Sequence, residues 1–225
     1  IRFIFIFLTL LSPFMSGEAK DSSNDGQAHL EETIVYGKAT KKVGIASSSS
    51  EGLVALADFN TRPILRIGEL AEMLPGMVAT QHSGEGKANQ YFLRGMNLDH
   101  GTDFSMWVEG MPINLRAHAH GQGYLDLNFI IPELVESARY SKGPYKASNG
   151  DFSSAGSSSI SLYDSISQPL ISVTLGTEQY RRLLAAGSAD IASGKLLSAV
   201  AILKDGGPWV NSGNVEKLNI NSKYS

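Results

Sequence analysis

Two histidines stand two positions apart within residues 116–124, the stretch with the most unusual composition in the chain. His118 and His120 would project from the same face of an extended segment, because side chains alternate along a strand. Two converging imidazoles can bind a borderline metal ion, or they can hydrogen-bond an anionic metal chelate together with Arg116. A zinc site normally takes three or four ligands, so this pair alone does not predict one. We therefore predict Arg116, His118, His120 and Gln122 as candidate ligand contacts, with packing or backbone hydrogen bonds of the two imidazoles as the alternative.

A second polar group precedes the histidines. Asp99 and His100 are adjacent, and Asp103 follows them. If their loop meets the loop of His118 and His120, Asp99 and His100 join the candidate ligand contacts. No further ligand set is visible, so we predict neither a resident metal site nor a cofactor.

The composition argues against several classes of protein. The net charge is −3, with 19 Lys and Arg against 22 Asp and Glu, so the chain has no basic surplus for binding nucleic acid. It contains no cysteine, which excludes disulfide scaffolds and thiolate metal sites. It has no G-x-S-x-G, H-E-x-x-H or P-loop spacing, and no enzyme is predicted. Charged residues make up 18% of the chain, below the roughly 25% typical of soluble domains, so something other than charge covers part of its surface.

The N-terminal segment is typical of a signal peptide. The chain begins at Ile1 instead of Met, and an apolar run occupies residues 3–11. As a helix this run would rise only about 14 Å, far less than the roughly 30 Å of a membrane core. Gly17 and Ala19 precede a polar stretch, which predicts cleavage after Ala19 and export. We therefore assign residues 1–19 to a signal peptide and exclude them from the fold.

Residues 20–52 indicate a linker that carries one β-prone island. Polar, Gly-rich and Ser-rich sequence at residues 20–30 and 38–50 is typical of flexible linkers. Between these flanks, residues 31–37 have the β-branched and aromatic side chains of a strand, but too little area to fold alone. This island is predicted to be a docking peptide.

Residues 53–168 predict a compact α+β domain with a small mixed sheet and short helices. One helix at residues 68–74 would end at Pro75 and Gly76, and a second would begin at Pro132 and run to Ser137. Strands are predicted at residues 90–94, 104–108, 111–114 and 138–141. The dipeptide Glu109-Gly110 predicts a tight hairpin turn between the second and third of these strands.

After Pro169, apolar and polar residues alternate in longer strands. The apolar face would hold Ile171, Val173 and Leu175, and the theme continues in a later set formed by Leu197, Ala199, Ala201, Leu203, Leu218 and Ile220. Apolar residues outward and polar residues inward are what a transmembrane β-barrel strand requires. Three or four such strands cannot close a barrel without exposing backbone edges to lipid. We therefore predict that residues 169–225 are the first antiparallel strands of a transmembrane β-barrel and that the chain is a fragment.

In this order, the segments resemble the N-terminal part of a TonB-dependent outer-membrane receptor, with signal peptide, TonB box, plug domain and first barrel strands. Five motifs carry the likeness: residues 32–35 (Glu-Thr-Ile-Val), 92–95 (Phe-Leu-Arg-Gly), 108–113 (Val-Glu-Gly-Met-Pro-Ile), 135–144 with its final Gly-Pro, and the Gly- and Ser-rich residues 150–162. One position departs from the family pattern. Arg139 stands where the family usually has a Glu, four positions before Gly143, so the plug-to-barrel ion pair of that Glu is not carried over.

The resemblance implies roles for two groups of residues. Glu32, Thr33, Ile34, Val35 and Tyr36 would form the box, which pairs as an added strand with TonB, an energy-transducing partner anchored in the inner membrane. The alternative is that these residues form the first strand of the plug itself. Arg94, beside Gly95, would hold the plug through a carboxylate of the barrel wall, or would form a local salt bridge.

The resemblance also implies energy-coupled import without bond chemistry. The substrate would be a scarce nutrient such as a ferric siderophore, another metal chelate or cobalamin. The protein would lie in the outer membrane of a Gram-negative cell, in contact with its lipid, with plug and box reaching the periplasm. The competing hypothesis is a plug-like interaction module of the periplasm or cell surface that transports nothing.

Overall fold

The computed structural model of the chain describes residues 46, 48–59, 62, 64, 66–81, 86–207, 210 and 213–225. All of them belong to one compact unit, Ile34–Ser225. The predicted signal peptide and the predicted box at residues 32–36 lie outside the described residues, as does most of the predicted linker. Among the described residues, no helix has both the length and the apolar character needed to cross a membrane.

The largest mixed sheet has five strands. In spatial order these are β1 (Glu51–Ala55), β7 (Val135–Lys142), β8 (Gly156–Leu162), β5 (Phe104–Val108) and β6 (Met111–Pro112). Strands β5 and β8 run parallel, and the other neighbours are antiparallel. The central position of β8 therefore joins a β1–β7 pair to a β5–β6 hairpin.

Short elements surround this sheet. A three-stranded antiparallel sheet contains β2 (Met77–Thr80), β3 (Gln90–Leu93) and β4 (Met96–Asn97). Helix α1 spans Leu56–Phe59, and 3-10 helices span Ile67–Met73, Pro132–Leu134 and Ala147–Asn149. The predicted α+β organisation is confirmed, and the second of the two predicted helices is shorter than the sequence indicates.

A third sheet contains the last four strands of the chain, all antiparallel. Its members are β9 (Leu170–Leu175), β10 (Arg181–Ile191), β11 (Gly194–Asp205) and β12 (Val215–Tyr224). Each strand pairs with its neighbour in the chain, in the order β12-β11-β10-β9. One face of this sheet packs against the rest of the fold.

A single apolar core joins the two larger sheets. Met106 and Ile160 contribute to it from the five-stranded sheet, Leu70 from a 3-10 helix, and Leu184 and Leu197 from the four-stranded sheet. All five side chains are almost completely buried. Burial of one such side chain contributes about 1.5–3 kcal/mol, so this contact surface is a main source of cohesion between the sheets.

The hairpin turn at Glu109 and Gly110 is confirmed. Both residues have positive φ, 51° and 77°, and they connect β5 to β6. Two consecutive positive φ values are the geometry of a type I′ turn, whose twist matches that of the flanking strands. Strand β6 ends at Pro112, two residues before the predicted end, because the side chain of Asn114 takes over the hydrogen bond to Met106 N–H.

The helix predicted from Pro132 to Ser137 is wrong beyond its first turn. The 3-10 turn ends at Leu134, and β7 begins at Val135. Val135 and Ala138 are buried in strand pairing between β1 and β8, and tertiary pairing overrides the helical signal of the preceding proline. The 3-10 helix at Ile67–Met73 lies where the first helix is predicted, and it ends before Pro75.

The side chains of β11 point to the opposite faces from those that the sequence predicts. Ile171, Val173, Leu218 and Ile220 face outward and are exposed, as predicted. Leu197, Ala199 and Ala201 instead face inward and are buried, and Leu203 belongs to the same inward face. The outward apolar residues of β11 are Val200 and Ile202. Because both faces of this strand are apolar, alternation alone does not show which face is outside.

Candidate functional site

The side chain of Asn114 fixes the base of the loop that carries the histidines. Its Nδ2 group lies 3.0–3.1 Å from the carbonyl oxygens of Gly101, Phe104 and Gly123, which share its two N–H donors. Its Oδ1 accepts the Met106 N–H at 2.8 Å. This buried amide therefore ties residues 101–106 and the end of the loop at Gly123 together at one point.

Residues 116–123 form an exposed loop with closed ends. Leu115 N–H donates to Tyr124 O at 2.9 Å, and Gly123 N–H donates to Leu115 O at 2.7 Å. Gly123 has a φ of 80°, and a Cβ at this position would lie 2.9 Å from the Cα of Thr102. Only glycine fits this backbone without displacement, so the loop end is fixed by the sequence.

The two predicted histidines lie together on Tyr124, but they have different surroundings. The ring of His118 stacks on Tyr124 with 3.9 Å between ring centroids. The Nδ1 atom of His118 accepts the backbone N–H of His120 at 3.2 Å. His120 instead places its ring at the edge of His100, with centroids 4.3 Å apart and planes at 87°.

The structure brings the Asp99 loop to the histidine loop, a meeting that the sequence left open. Asp99, His100 and His120 each offer one ligand atom, and these three atoms lie within 4.8 Å of one another. His100 Nε2 lies 3.9 Å from Asp99 Oδ1. His100 is buried, whereas Asp99 and His120 are exposed, so the cluster lies at the surface with one buried member.

Arg116 and Gln122 stand apart from this cluster. Both are exposed, and within the described part of the chain no hydrogen bond joins either side chain to Asp99, His100 or His120. Gln122 contributes its backbone oxygen, which accepts the Thr102 hydroxyl at 2.9 Å. The two side chains keep their predicted role as candidate contacts for a larger ligand.

Arg94 lies at an exposed turn with a φ of 52°. Its backbone N–H donates to Gly76 O at 3.1 Å. Burial, and secondly the charge of Arg94, lower the pKa of the Lys142 ammonium group. Within the described residues, Arg94 forms no ion pair with the four-stranded sheet, and its predicted contact there stays a prediction.

Other residues make the polar contacts between the four-stranded sheet and the rest of the fold. Arg182 of β10 donates two hydrogen bonds to the carboxylate of Glu133, at 2.5 and 2.8 Å. Lys217 Nζ donates to Asn128 Oδ1 at 2.7 Å, and Asn219 Nδ2 donates to Asn128 O at 2.8 Å. Sequence reasoning did not find these residues, since their partners lie 49 to 91 positions away and no local pattern marks them.

A cavity of about 430 Å³ lies between the four-stranded sheet and residues 56–133 of the preceding part of the chain. Its walls carry both charges and neutral polar groups, among them Lys87, Asn89, Asn128, Glu133, Arg182, Asp205, Lys217 and Asn219. The Nδ2 group of Asn89 is buried without a hydrogen-bond partner among the described residues. A cavity with such walls suits a polar ligand that can pair with both signs of charge.

Residues 44–157 match the family model of the TonB-dependent receptor plug domain, a match that covers half of the chain. The chain belongs to the TonB-dependent receptor plug family. The five-stranded sheet and its short helices thus form a plug, and β9 to β12 are partial barrel strands. This family consists of receptors and not of enzymes, which confirms that part of the sequence prediction. The domain bounds at residues 53–168 and 169–225 stay predictions.

Solved receptors share the fold of this plug protein. The siderophore receptor PirA from Pseudomonas aeruginosa is 16% identical, with a TM-score of 0.54 over 79% of this chain and 32% of its own. The ferric yersiniabactin uptake receptor FyuA from Yersinia pestis is 18% identical, with a TM-score of 0.53 over 77% of this chain and 27% of its own. The copper transporter OprC is 17% identical, with a TM-score of 0.53 over 74% of this chain and 25% of its own. The plug protein therefore spans about a quarter to a third of the length of these structures.

Proposed function

We propose that this chain contains the TonB box, the plug and the first barrel strands of an outer-membrane receptor that imports a scarce nutrient. The observation that carries the proposal is the contrast between the two faces of the four-stranded sheet. The inner face packs on the plug through Leu184, Leu197 and Ala199, which are buried. The outer face exposes large apolar side chains such as Ile171 and Ile220, 76% and 71% accessible. An apolar sheet face of this size is unfavourable in water and suits lipid.

The strand register arranges this outer face in continuous rows. One row crosses all four strands through Ile171, Ala185, Val200 and Ile220, and the next crosses them through Val173, Leu183, Ile202 and Leu218. A row that contains Arg181, Lys204 and Glu216 follows at one end, where Lys204 and Glu216 form an ion pair at 2.7 Å. An apolar band with a charged rim is the pattern of a strand set that crosses a bilayer.

The connections give the proposed barrel strands a direction. Strands β10 and β11 are joined by two residues, 192–193, whereas β11 and β12 are joined by residues 206–214. Outer-membrane barrels have short periplasmic turns and longer outer loops. The charged rim then faces outward, and the Glu109 hairpin, which contacts Lys223 near the other end of β12, faces the periplasm.

The charged and polar side chains that line the cavity favour a small substrate that is itself charged or polar. Solved relatives are described as receptors for siderophores and as a copper transporter, and this chain shares their fold. We therefore place the substrate among ferric siderophores, other metal chelates and cobalamin. Import requires that bound substrate stabilise the state in which the TonB box is exposed relative to the state in which it is not. A ligand shifts such an equilibrium only if its affinities for the two states differ.

Substitution Val35→Pro tests the coupling to TonB. Proline removes a backbone donor, so an added strand at residues 32–36 would lose a hydrogen bond to its partner. We expect energy-dependent uptake of the physiological substrate to fall to the level of a TonB-deficient strain, with substrate binding unchanged. Ser23→Pro, in the predicted linker, is the matched control and should preserve uptake.

Two results would contradict the proposal. If Val35→Pro lowered the thermal stability of the receptor as well as uptake, residues 32–36 would be a strand of the plug and not the box. If uptake by the unmodified protein were the same with and without TonB, the energy-coupled mechanism would be wrong.

A further inference from the structure

The tautomer of the buried His100 is fixed by its surroundings. Its Nδ1 atom lies 3.0 Å from Asn89 O and 3.1 Å from Ala88 O. Carbonyl oxygens only accept hydrogen bonds, so Nδ1 carries the proton in the neutral ring. The lone pair is then on Nε2, which is buried and lies 3.9 Å from Asp99 Oδ1. A histidine that donates from one ring nitrogen to a backbone carbonyl and keeps the lone pair on the other has the usual arrangement of a metal ligand.

The other two members of the cluster can reach a shared ion by rotation of their side chains. Ligands of one zinc ion lie about 2.0–2.2 Å from it, so two ligand atoms of a tetrahedral site are about 3.4 Å apart. The observed spread of up to 4.8 Å means that the ligand atoms must approach one another by more than about 1 Å to share an ion. Asp99 and His120 are exposed, and the movement needed is within the freedom of their side chains.

The chemistry of the three ligands selects the kind of ion. Imidazole nitrogens suit Zn²⁺, Cu²⁺, Ni²⁺ and Co²⁺, whereas Ca²⁺ and Mg²⁺ prefer oxygen ligands throughout. Three protein ligands leave at least one position for water or for an incoming donor atom. Such an open site can accept an ion at the surface and release it again.

We infer that Asp99, His100 and His120 bind a divalent transition-metal ion directly on the plug. This inference deepens the proposed function, since it adds a bare ion to the possible cargo, and its transport role rests on that function. Binding of the ion depends only on the cluster. His118 acts as a positioning residue, because its Nδ1 is already occupied by the His120 N–H.

Zinc titration of the full-length protein tests the site. The protein is purified in detergent without a polyhistidine tag, and Zn²⁺ binding is measured by calorimetry. We expect one site that weakens at least about tenfold in His120→Ala and in Asp99→Asn. Both positions are exposed, so these variants should fold. Asp151→Asn, at an exposed carboxylate outside the cluster, is the matched control and should bind as the unmodified protein does.

X-ray absorption at the zinc edge tests the buried ligand without replacing it. We expect two imidazole ligands in the unmodified protein and one in His120→Ala. Equal weakening of binding by His118→Ala and His120→Ala, with two imidazoles lost together, would overturn the assignment in favour of the adjacent pair. Unchanged zinc affinity in His120→Ala and Asp99→Asn would overturn the site altogether.

Uptake separates the site from the proposed import. In Val35→Pro, Zn²⁺ binding should be unchanged while uptake of labelled Zn²⁺ is lost. Binding that disappears in His120→Ala, combined with zinc uptake that does not depend on TonB, would support the site and contradict the import mechanism. Absence of Zn²⁺ binding together with TonB-dependent uptake of a chelate would contradict the site and support the mechanism.

Discussion

The ammonium group of Lys223 in β12 lies 2.9 Å from the carboxylate of Glu109 at the tip of the plug hairpin. The same ammonium lies 2.8 Å from Asp164, and the other Glu109 oxygen accepts the Leu162 N–H at 2.5 Å. The barrel strand, the hairpin and the end of β8 therefore meet at one partly buried ion cluster. Arg139 does not take part, so the plug is anchored by a different residue from the one that the family pattern suggests.

Glu109→Gln should loosen this contact while keeping an acceptor for Leu162 N–H. The neutral amide loses the ion pair, and Lys223 keeps Asp164, so we expect a loss of about 1–3 kcal/mol in the free energy of unfolding. Urea unfolding measures the loss, and hydrogen exchange at residues 156–162 locates it. Asp190→Asn removes an exposed pair with Lys195 and should change stability by less than about 1 kcal/mol. Equal losses in the free energy of unfolding would show that the Glu109 ion pair stabilises the protein no more than an exposed pair does.

Asn114→Ala should release the histidine loop from the plug. The substitution leaves the carbonyls of Gly101, Phe104 and Gly123 without their shared donor, at a cost of about 3 kcal/mol. Limited proteolysis should then cut within residues 116–123. Asn97→Ala, at the exposed end of β4, is the control and should leave the cleavage pattern unchanged. A resistant loop in Asn114→Ala would show that the pairing of Leu115 with Tyr124 is sufficient.

The stability of the plug should decrease at alkaline pH because of Tyr91. Burial, with smaller effects of Asp126 and Tyr124, raises the pKa of the Tyr91 phenol above its ordinary value. Above about pH 10 the unfolded chain loses this proton while the folded plug retains it, so stability is present below that pH and falls above it. Tyr91→Phe should reduce the slope of melting temperature against pH between pH 9 and pH 11. Tyr145→Phe, at an exposed ring, is the control, and an equal reduction in both variants would contradict the role of burial.

Ile220→Arg should disturb insertion into a bilayer. Ile220 lies in the middle of the exposed apolar rows of β12. A charge at the bilayer midplane costs about 2–4 kcal/mol in a transmembrane barrel. We expect less folded protein in outer-membrane vesicles, measured by heat-modifiable migration on gels. Ile220→Leu keeps the apolar face and should insert normally, and normal insertion of Ile220→Arg would place this face away from lipid.

Local patterns in the sequence predict the elements that depend on local geometry. The Glu109-Gly110 turn follows from residue types that tolerate positive φ, and the outward faces of β9 and β12 follow from strict alternation. Strand β7 is different, because Val135 at its start pairs with Leu162 at the far end of β8, and no local pattern shows this pairing. In β11, apolar residues lie on both faces, so the sequence alone does not show which face packs on the plug.

The candidate site is likewise only partly predictable from local sequence patterns. His118 and His120 are visible in the sequence as an unusual pair, and Asp99 and His100 as a nearby polar group. Their meeting depends on Asn114, whose partners are backbone carbonyls that no side-chain pattern marks. His118 stacks on Tyr124, whereas His120 packs at the edge of His100, and these contacts give the two histidines different roles.

The parallel pairing of β5 with β8 has a consequence for the biogenesis of this protein. Phe104 pairs with Gly156 and Val108 with Ile160, so residues 109–155 lie between β5 and its central partner in the chain. Long-range pairing of this kind delays folding, since the loop must close before the contact stabilises it. Until β8 has formed, the edge of β5 that will face it stays unpaired, and an unpaired edge of this kind can pair with another chain and aggregate.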